Sequence, residues 1–203
     1  MEETGLAFAI GAVLAGGRGS RLGGAKATVE LAGKPLIAYP ITAVAEAGIE
    51  PVVIAKRDSP LPPLPCRTVC EPEEPRHPLA GIVAALRQFP DRPLVAVACD
   101  MPFLVPALLA HLAAVPEQLV LPELEGALHP FPGRYDASLL PELEPALAAE
   151  EPLRDALTRL QPRRLGAEEL SQFGPPQQLL FNVNTPTDLE WARRLLRRSP
   201  SAR

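Results

Sequence analysis

The sequence predicts a single α/β domain over residues 1–203, a doubly wound and mostly parallel sheet with helices on both faces. Three observations predict it. Apolar runs without polar alternation recur at Ala9 to Leu14, Pro51 to Ala55 and Pro93 to Ala98, the mark of strands covered on both sides. Segments with helical apolar spacing separate them, and strand-helix-strand order implies parallel strands joined by crossovers. The length of 203 residues suits one substantial core, and neither an internal repeat nor a linker divides it.

Taken in order, Ala9 to Leu14 is a buried strand that empties into a glycine-rich loop, and Thr28 to Leu31 is a short extended piece. Gly33-Lys34-Pro35 opens a helix whose apolar positions are Leu36, Ile37, Ile41, Val44 and Ala45. Pro40 predicts a kink or a late start, and Gly48 ends the helix. A second strand runs from Pro51 to Ala55, a polar, proline-rich crossing from Lys56 to Pro65, and a short strand from Arg67 to Cys70. Pro78 begins a helix through Leu86, and Pro93 to Ala98 is the next strand. A helix is expected from Phe103 to Ala114, a strand from Gln118 to Pro122, a turn at Glu125-Gly126 and an extended return through His129 to Arg134. Helices at Ser138 to Ala149 and Pro152 to Leu160 follow, then a last strand at Leu179 to Val183. Thr185 to Asp188 caps a terminal helix reaching Arg197, and Ser199 to Arg203 should fray.

Composition narrows the function. Apolar residues make up 47% and the net charge is −4, which excludes disorder and gives no basic footprint for nucleic acid or an anionic membrane. Three cysteines, without a Cys-x-x-Cys pair, suit free thiols in a cytoplasmic protein. No apolar run is long enough to span a membrane and no leader pattern opens the chain.

The chemistry concentrates in Leu14-Ala15-Gly16-Gly17-Arg18-Gly19-Ser20-Arg21-Leu22-Gly23-Gly24-Ala25-Lys26. Five glycines in thirteen residues cannot build a packed element, but they let backbone N–H groups approach a polyphosphate, with Arg18, Arg21 and Lys26 adding positive charge. The spacing is neither a P-loop nor Gly-x-Gly-x-x-Gly. Asp100 follows an apolar strand and precedes Pro102, at the edge where such sheets bind ligands. It reads either as a helix cap or as a ligand for the Mg²⁺ that accompanies a nucleoside triphosphate. Asn182 and Asn184 are the only asparagines, and their amides suit a ligand as well as a turn.

The pattern Leu-Ala-Gly-Gly-x-x-x-Arg-Leu-Gly followed by Lys, with Cys-Asp-Met-Pro, Pro-Leu-Ala-Gly and Asn-Val-Asn-Thr-Pro, resembles the molybdenum cofactor guanylyltransferase family. The resemblance implies a Rossmann-like nucleotidyltransferase fold with an NTP-binding half at about 7–105 and an acceptor-binding part at about 106–198. It implies transfer of GMP from GTP to the phosphate of molybdopterin, with release of pyrophosphate. Leu14, Ala15, Gly16, Gly17, Lys26, Glu71, Pro78, Leu79, Gly81 and Asp100 would bind the nucleotide. Lys26, Arg21 and Asp100 would act in catalysis, Asp100 on Mg²⁺, and Asn182, Asn184 and His129 would face the acceptor. Glu71 stands where the family often reads the guanine edge, or else is a solvated member of Glu71-Pro72-Glu73-Glu74. Protein partners implied are those that supply the pterin or receive the finished cofactor. Ala25 and His77 depart from the family's usual aspartate and glycine. A cytidylyltransferase, a sugar-phosphate nucleotidyltransferase and a non-catalytic nucleotide-binding chaperone or sensor are the alternatives.

Overall fold

Side chains along the first strand alternate between two cores, which is why its sequence carries no polar break. The computed structural model describes residues 8–16 and 26–198. Gly17 and Arg21, with the rest of the glycine loop to Ala25, lie outside the described residues, as does the tail expected to fray. The chain folds as β1 (Ile10–Leu14), a 3₁₀ turn (Lys26–Thr28), β2 (Glu30–Leu31), β3 (Lys34–Pro35), α1 (Ala38–Glu46), β4 (Glu50–Ala55), β5 (Thr68–Cys70), α2 (Pro78–Gln88), β6 (Leu94–Ala98) and α3 (Pro106–Ala114). It continues with β7 (Leu119–Leu124), β8 (Ala127–Leu128), β9 (Gly133–Tyr135), a second 3₁₀ turn (Ala137–Leu139), α4 (Leu140–Ala148), α5 (Leu153–Arg159), β10 (Arg163–Leu165), α6 (Ala167–Ser171), α7 (Pro176–Leu179) and α8 (Pro186–Arg198).

The sheet order is β10-β7-β9-β6-β1-β4-β5, with β8 paired to β7 outside that path. β1 runs parallel to both neighbours, placing Val13 opposite Val53 and Val97. β9 is antiparallel to both β6 and β7, so those two strands point the same way and their carboxyl ends share one edge with β1, β4 and β5. Val13, Val53 and Val97 pack with Ile41 and Val44 of α1 and Leu108 and Leu112 of α3. On the opposite face Ile10, Ala12 and Ile54 pack with Ile82 and Leu86 of α2, Leu143 of α4 and Leu157 of α5. The doubly wound arrangement is thus realised. A Cβ at Gly11 would overlap the Val44 side chain, so glycine sets the close approach of α1 to β1.

A third, smaller core joins the β2–β3 hairpin to α8 through Leu31, Leu36, Phe103, Val183 and Ala192. Phe103 meets the Trp191 ring edge-on at 5.8 Å between centroids, and Phe181 lies 4.3 Å from the same ring.

Several expectations need correction. Gly33-Lys34-Pro35 does not open a helix: Ala32 and Gly33 take positive φ values of 49° and 82° and turn β2 back onto β3, as a tight hairpin requires. α1 starts late, at Ala38, which puts Pro40 in the first turn where its missing N–H leaves no intrahelical bond unmade. α3 starts at Pro106 rather than Phe103, because Phe103 is drawn into the third core. Leu179 to Val183 is not a strand. Pro176 begins the short helix α7, Leu179 and Leu180 enter the large core, and the chain then crosses the carboxyl edge of the sheet with Val183 N–H donating to Asp100 O at 2.9 Å. The edge strand β10 went unread, since Arg163-Arg164-Leu165 has too little apolar signal to mark a strand.

Candidate active site

The carboxyl edge of the sheet collects the chemistry. Ala15 N–H donates to Ile54 O and Cys99 N–H to Leu14 O, so the ladder continues one step beyond β1 and β6 and fixes where the chain leaves. Asp100 comes next, its carboxylate brought to the edge and 6% exposed. Lys26 enters from the 3₁₀ turn, which is tied to the hairpin by Leu36 N–H to Val29 O and Ile37 N–H to Ala27 O. Its ammonium donates to Asp100 Oδ2 at 2.5 Å and to Asn184 Oδ1 at 2.5 Å. Three segments far apart in sequence therefore meet on one cation.

Asn184 is held by the cap of α8. Asp188 Oδ2 accepts from the N–H groups of Asn184 and Thr185, at 2.9 and 2.8 Å, while Asp188 N–H donates to Thr185 Oγ1 at 3.2 Å. This reciprocal pair is a capping box with aspartate in the acidic position. Asn182 differs from Asn184: its amide nitrogen donates to Leu180 O at 3.0 Å, which stabilises the turn out of α7. The segment is not a strand, and the two amides have different partners, Lys26 for Asn184 Oδ1 and the Leu180 carbonyl for Asn182.

Asp100 Oδ1 is buried without a hydrogen-bond partner among the described residues. A buried carboxylate oxygen left unpaired is costly, while Oδ2 of the same carboxylate shares the Lys26 ammonium with the neutral amide oxygen of Asn184. That pair of hard oxygen donors fits Mg²⁺, which uses one or two protein oxygens and takes the rest of its shell from phosphate and water. Among the described residues no cluster of three or more His, Cys, Asp or Glu side chains forms a metal cage. Burial and the adjoining Asp100 charge push the Cys99 thiol up to about 12, so it stays neutral.

Glu71 directly follows β5, its N–H donating to Ala55 O, and is 8% exposed. A Cβ on Gly16 would overlap its carboxylate, and one on Gly81 would lie 2.8 Å from its Oε2. The glutamate therefore packs between Gly16 and the first turns of α2, and a side chain at either glycine would displace its carboxylate. It is not a freely solvated member of an acidic run. Burial raises its proton affinity, opposed by the Lys56 charge. A cavity of about 490 Å³ opens here, lined by Arg57, Asp58, Cys70, Glu71, Pro72 and Glu73, a size suited to a small ligand.

Pro78 occupies the start of α2 and Leu79 is wholly buried in the core. The Leu79 N–H donates to His77 Nδ1 at 3.2 Å, so the histidine is the N-cap of α2. His129 lies farther along the same edge, its N–H donating to Pro122 O. Burial, with Arg154 nearby, holds its imidazole below the usual range. No hydrogen bond or ion pair joins it to the Lys26 cluster among the described residues. Lys56 escaped the sequence reading as part of a polar crossing; its signal was that it is one of three lysines and directly follows a buried strand.

Residues 11–164 match the MobA-like NTP transferase domain. The chain belongs to that family. Similarity to the molybdenum cofactor guanylyltransferase of Rhizobium johnstonii is 34% identity over 92% of each chain. Similarity to the probable molybdenum cofactor guanylyltransferase of Chloroflexus aggregans is 32%, over 89% of this chain and 91% of the relative. Among solved structures, the molybdopterin-guanine dinucleotide biosynthesis protein A of Archaeoglobus fulgidus superposes with a TM-score of 0.77 at 28% identity, covering 93% of this chain and 99% of that one. Membership of the MobA-like NTP transferase family makes the protein a nucleotidyltransferase, and the relatives reach past residue 164 to include the segment that carries Asn184.

Proposed function

We propose that the protein transfers GMP from GTP to the terminal phosphate of molybdopterin. The observation that carries the reading is the convergence of Lys26, Asp100 and Asn184 on the carboxyl edge of the sheet, within a chain whose relatives are molybdenum cofactor guanylyltransferases. An oxygen of the acceptor phosphate attacks the α-phosphorus of GTP. The new P–O bond forms as the bond to the β-phosphate oxygen breaks, and pyrophosphate leaves. The acceptor is already anionic, so the protein needs no strong base; positioning and charge neutralisation suffice.

Lys26 sits on a short turn at the mouth of the glycine loop and supplies a compact positive charge that can exchange Asp100 for a phosphate oxygen. Gly16 gives the nucleotide close access to backbone. Arg21 and Gly17 belong to the same loop in sequence and are assigned to the phosphates on that basis. Asp100, with Asn184 Oδ1 beside it, would hold Mg²⁺, which when bound neutralises charge on the triphosphate. Glu71 reads the base: guanine offers adjacent N1–H and N2–H₂ donors, and a carboxylate accepts from both. Pro78, Leu79 and Gly81 shape the backbone wall on which the base and ribose rest. Asn182 and His129 belong to the acceptor side, and residues 106–198 supply that side. Among the described residues no helix is long and apolar enough to cross a membrane. We assign the reaction to the cytoplasm, with passing contacts to the proteins that supply the pterin and take up its product.

The test is pyrophosphate release by the purified protein, with molybdopterin present and GTP or CTP as donor. An unmatched buried carboxylate costs roughly 1–3 kcal/mol, so GTP should exceed CTP in kcat/KM by about tenfold or more. Equal use of CTP would replace this reading with a cytidylyltransferase, and nucleotide binding without pyrophosphate would replace it with a sensor.

A further inference from the structure

Lys56 is the first residue after β4, and its side chain is only 15% exposed. Its ammonium donates to Pro72 O at 2.7 Å and to Glu73 O at 2.8 Å. An ammonium has three protons, and the remaining direction faces Glu71 Oε1 at 3.8 Å. One side chain thus spans the turn that follows β5 and approaches the carboxylate of a residue that lines the cavity.

The environment of that carboxylate is adverse to charge. Gly16 from the β1 loop and Gly81 from α2 press against it and contribute no ionisable group. Cys70 precedes it on β5, and Arg57, Asp58 and Glu73 border the same cavity. Burial and Glu73 both favour the protonated acid, while Lys56 opposes them. The protonation state matters chemically. An ionised carboxylate accepts from two donors, whereas a protonated one points an O–H of its own at a base edge that carries only donors.

We infer that Lys56 is a specificity-determining positioning residue: it braces the 71–73 turn and holds Glu71 ionised, so that the cavity prefers a purine with two adjacent donors on its edge. The inference rests on the guanine reading above. It assigns part of base selection to a residue that reaches the nucleobase only through Glu71.

ITP, which keeps N1–H but lacks the 2-amino group, isolates the interaction. The experiment measures kcat/KM for GTP and ITP from about pH 6 to about pH 9 in the parent, Lys56→Met, Lys56→Gln and Glu71→Gln proteins. Taking the GTP/ITP ratio cancels losses common to both donors. Lys56→Gln can still donate to the two carbonyls but lacks the charge, so it separates bracing from ionisation.

The expected result is a parent ratio of about ten or more. Lys56→Met and Lys56→Gln should both reduce it several-fold at neutral pH, mainly through KM, and both should recover it as the pH rises. The pH of half-recovery should lie about one unit or more above that of the parent. If Lys56→Gln keeps the parent ratio at every pH, Lys56 is only a brace and the inference is overturned. If the parent itself does not discriminate, or Glu71→Gln keeps its ratio, the guanine reading fails first and takes the inference with it. Should Lys56→Met fold poorly, Lys56→Gln decides the question alone.

Discussion

Lys26 bonds to partners 74 and 158 residues away in the chain, so a single ammonium integrates distant parts of the sequence into one charged centre. If it neutralises charge on the departing pyrophosphate, Lys26→Ala should lower the rate of pyrophosphate formation by about a hundredfold or more; a rate near the parent's would remove the lysine from the chemistry. Glu71 carries a second prediction at this scale. Burial raises its proton affinity in the folded protein, so between the unfolded carboxylate value and that raised value the native state binds the extra proton. Stability from this group therefore falls as pH rises through the window and stays lost above it. Glu71→Gln should melt at a higher temperature than the parent at neutral pH, with the advantage shrinking below about pH 4. Scanning calorimetry at the two pH values checks the sign, and an unchanged or lower melting temperature at neutral pH would show that the carboxylate is not under strain.

Among the elements, α2 shows how a local rule serves the site. Its N-cap is His77 and its first residue Pro78, an ordinary helix start, yet Gly81 stands where alanine would favour the helix by about 1 kcal/mol. A Cβ there would press on Glu71 Oε2 and on the Leu14 side chain, at 2.8 and 3.1 Å, and so displace the carboxylate. Gly81→Ala should weaken GTP binding by about tenfold or more, measured by isothermal titration, while circular dichroism shows the helix retained. Undiminished affinity would mean that the Glu71 position is unimportant. The buried strands were legible because covering both faces demands unbroken apolar runs, and Gly48, with φ of 74°, announced the end of α1. The end of the sheet was not legible. Leu179 to Val183 has the apolar run of a strand but leaves a short helix to lie across strand ends, and local pattern cannot separate the two when the deciding bond, Val183 N–H to Asp100 O, is long-range. The position of Asp100 at the carboxyl edge was readable from its strand and proline. The dependence of Glu71 on Gly16, Gly81 and Lys56 was not, since four segments create it. The histidine that departs from the family's glycine acquires a plain explanation as a cap.

For the molecule as a whole, the third core decides whether the site is complete. The β2–β3 hairpin and α8 share Leu31, Leu36, Val183 and Ala192, which fixes the lysine turn against the segment bearing Asn184. Asp188→Ala removes an acceptor serving two backbone N–H groups and should cost about 1 kcal/mol in urea denaturation. It should also reduce turnover more than Asn182→Ala does, although Asp188 reaches Lys26 only through Asn184; the reverse order would show that the Asn184 amide is dispensable. A ribosome delivers Lys26 long before Asn184, and domains fold as their segments emerge. A nascent chain that already contains β1, β4, β5 and β6 still lacks the amide that completes the cation's surroundings. The full surroundings of Lys26 thus arrive with the docking of α8, and a prematurely released chain would carry a nearly complete sheet in which Lys26 has Asp100 but not Asn184.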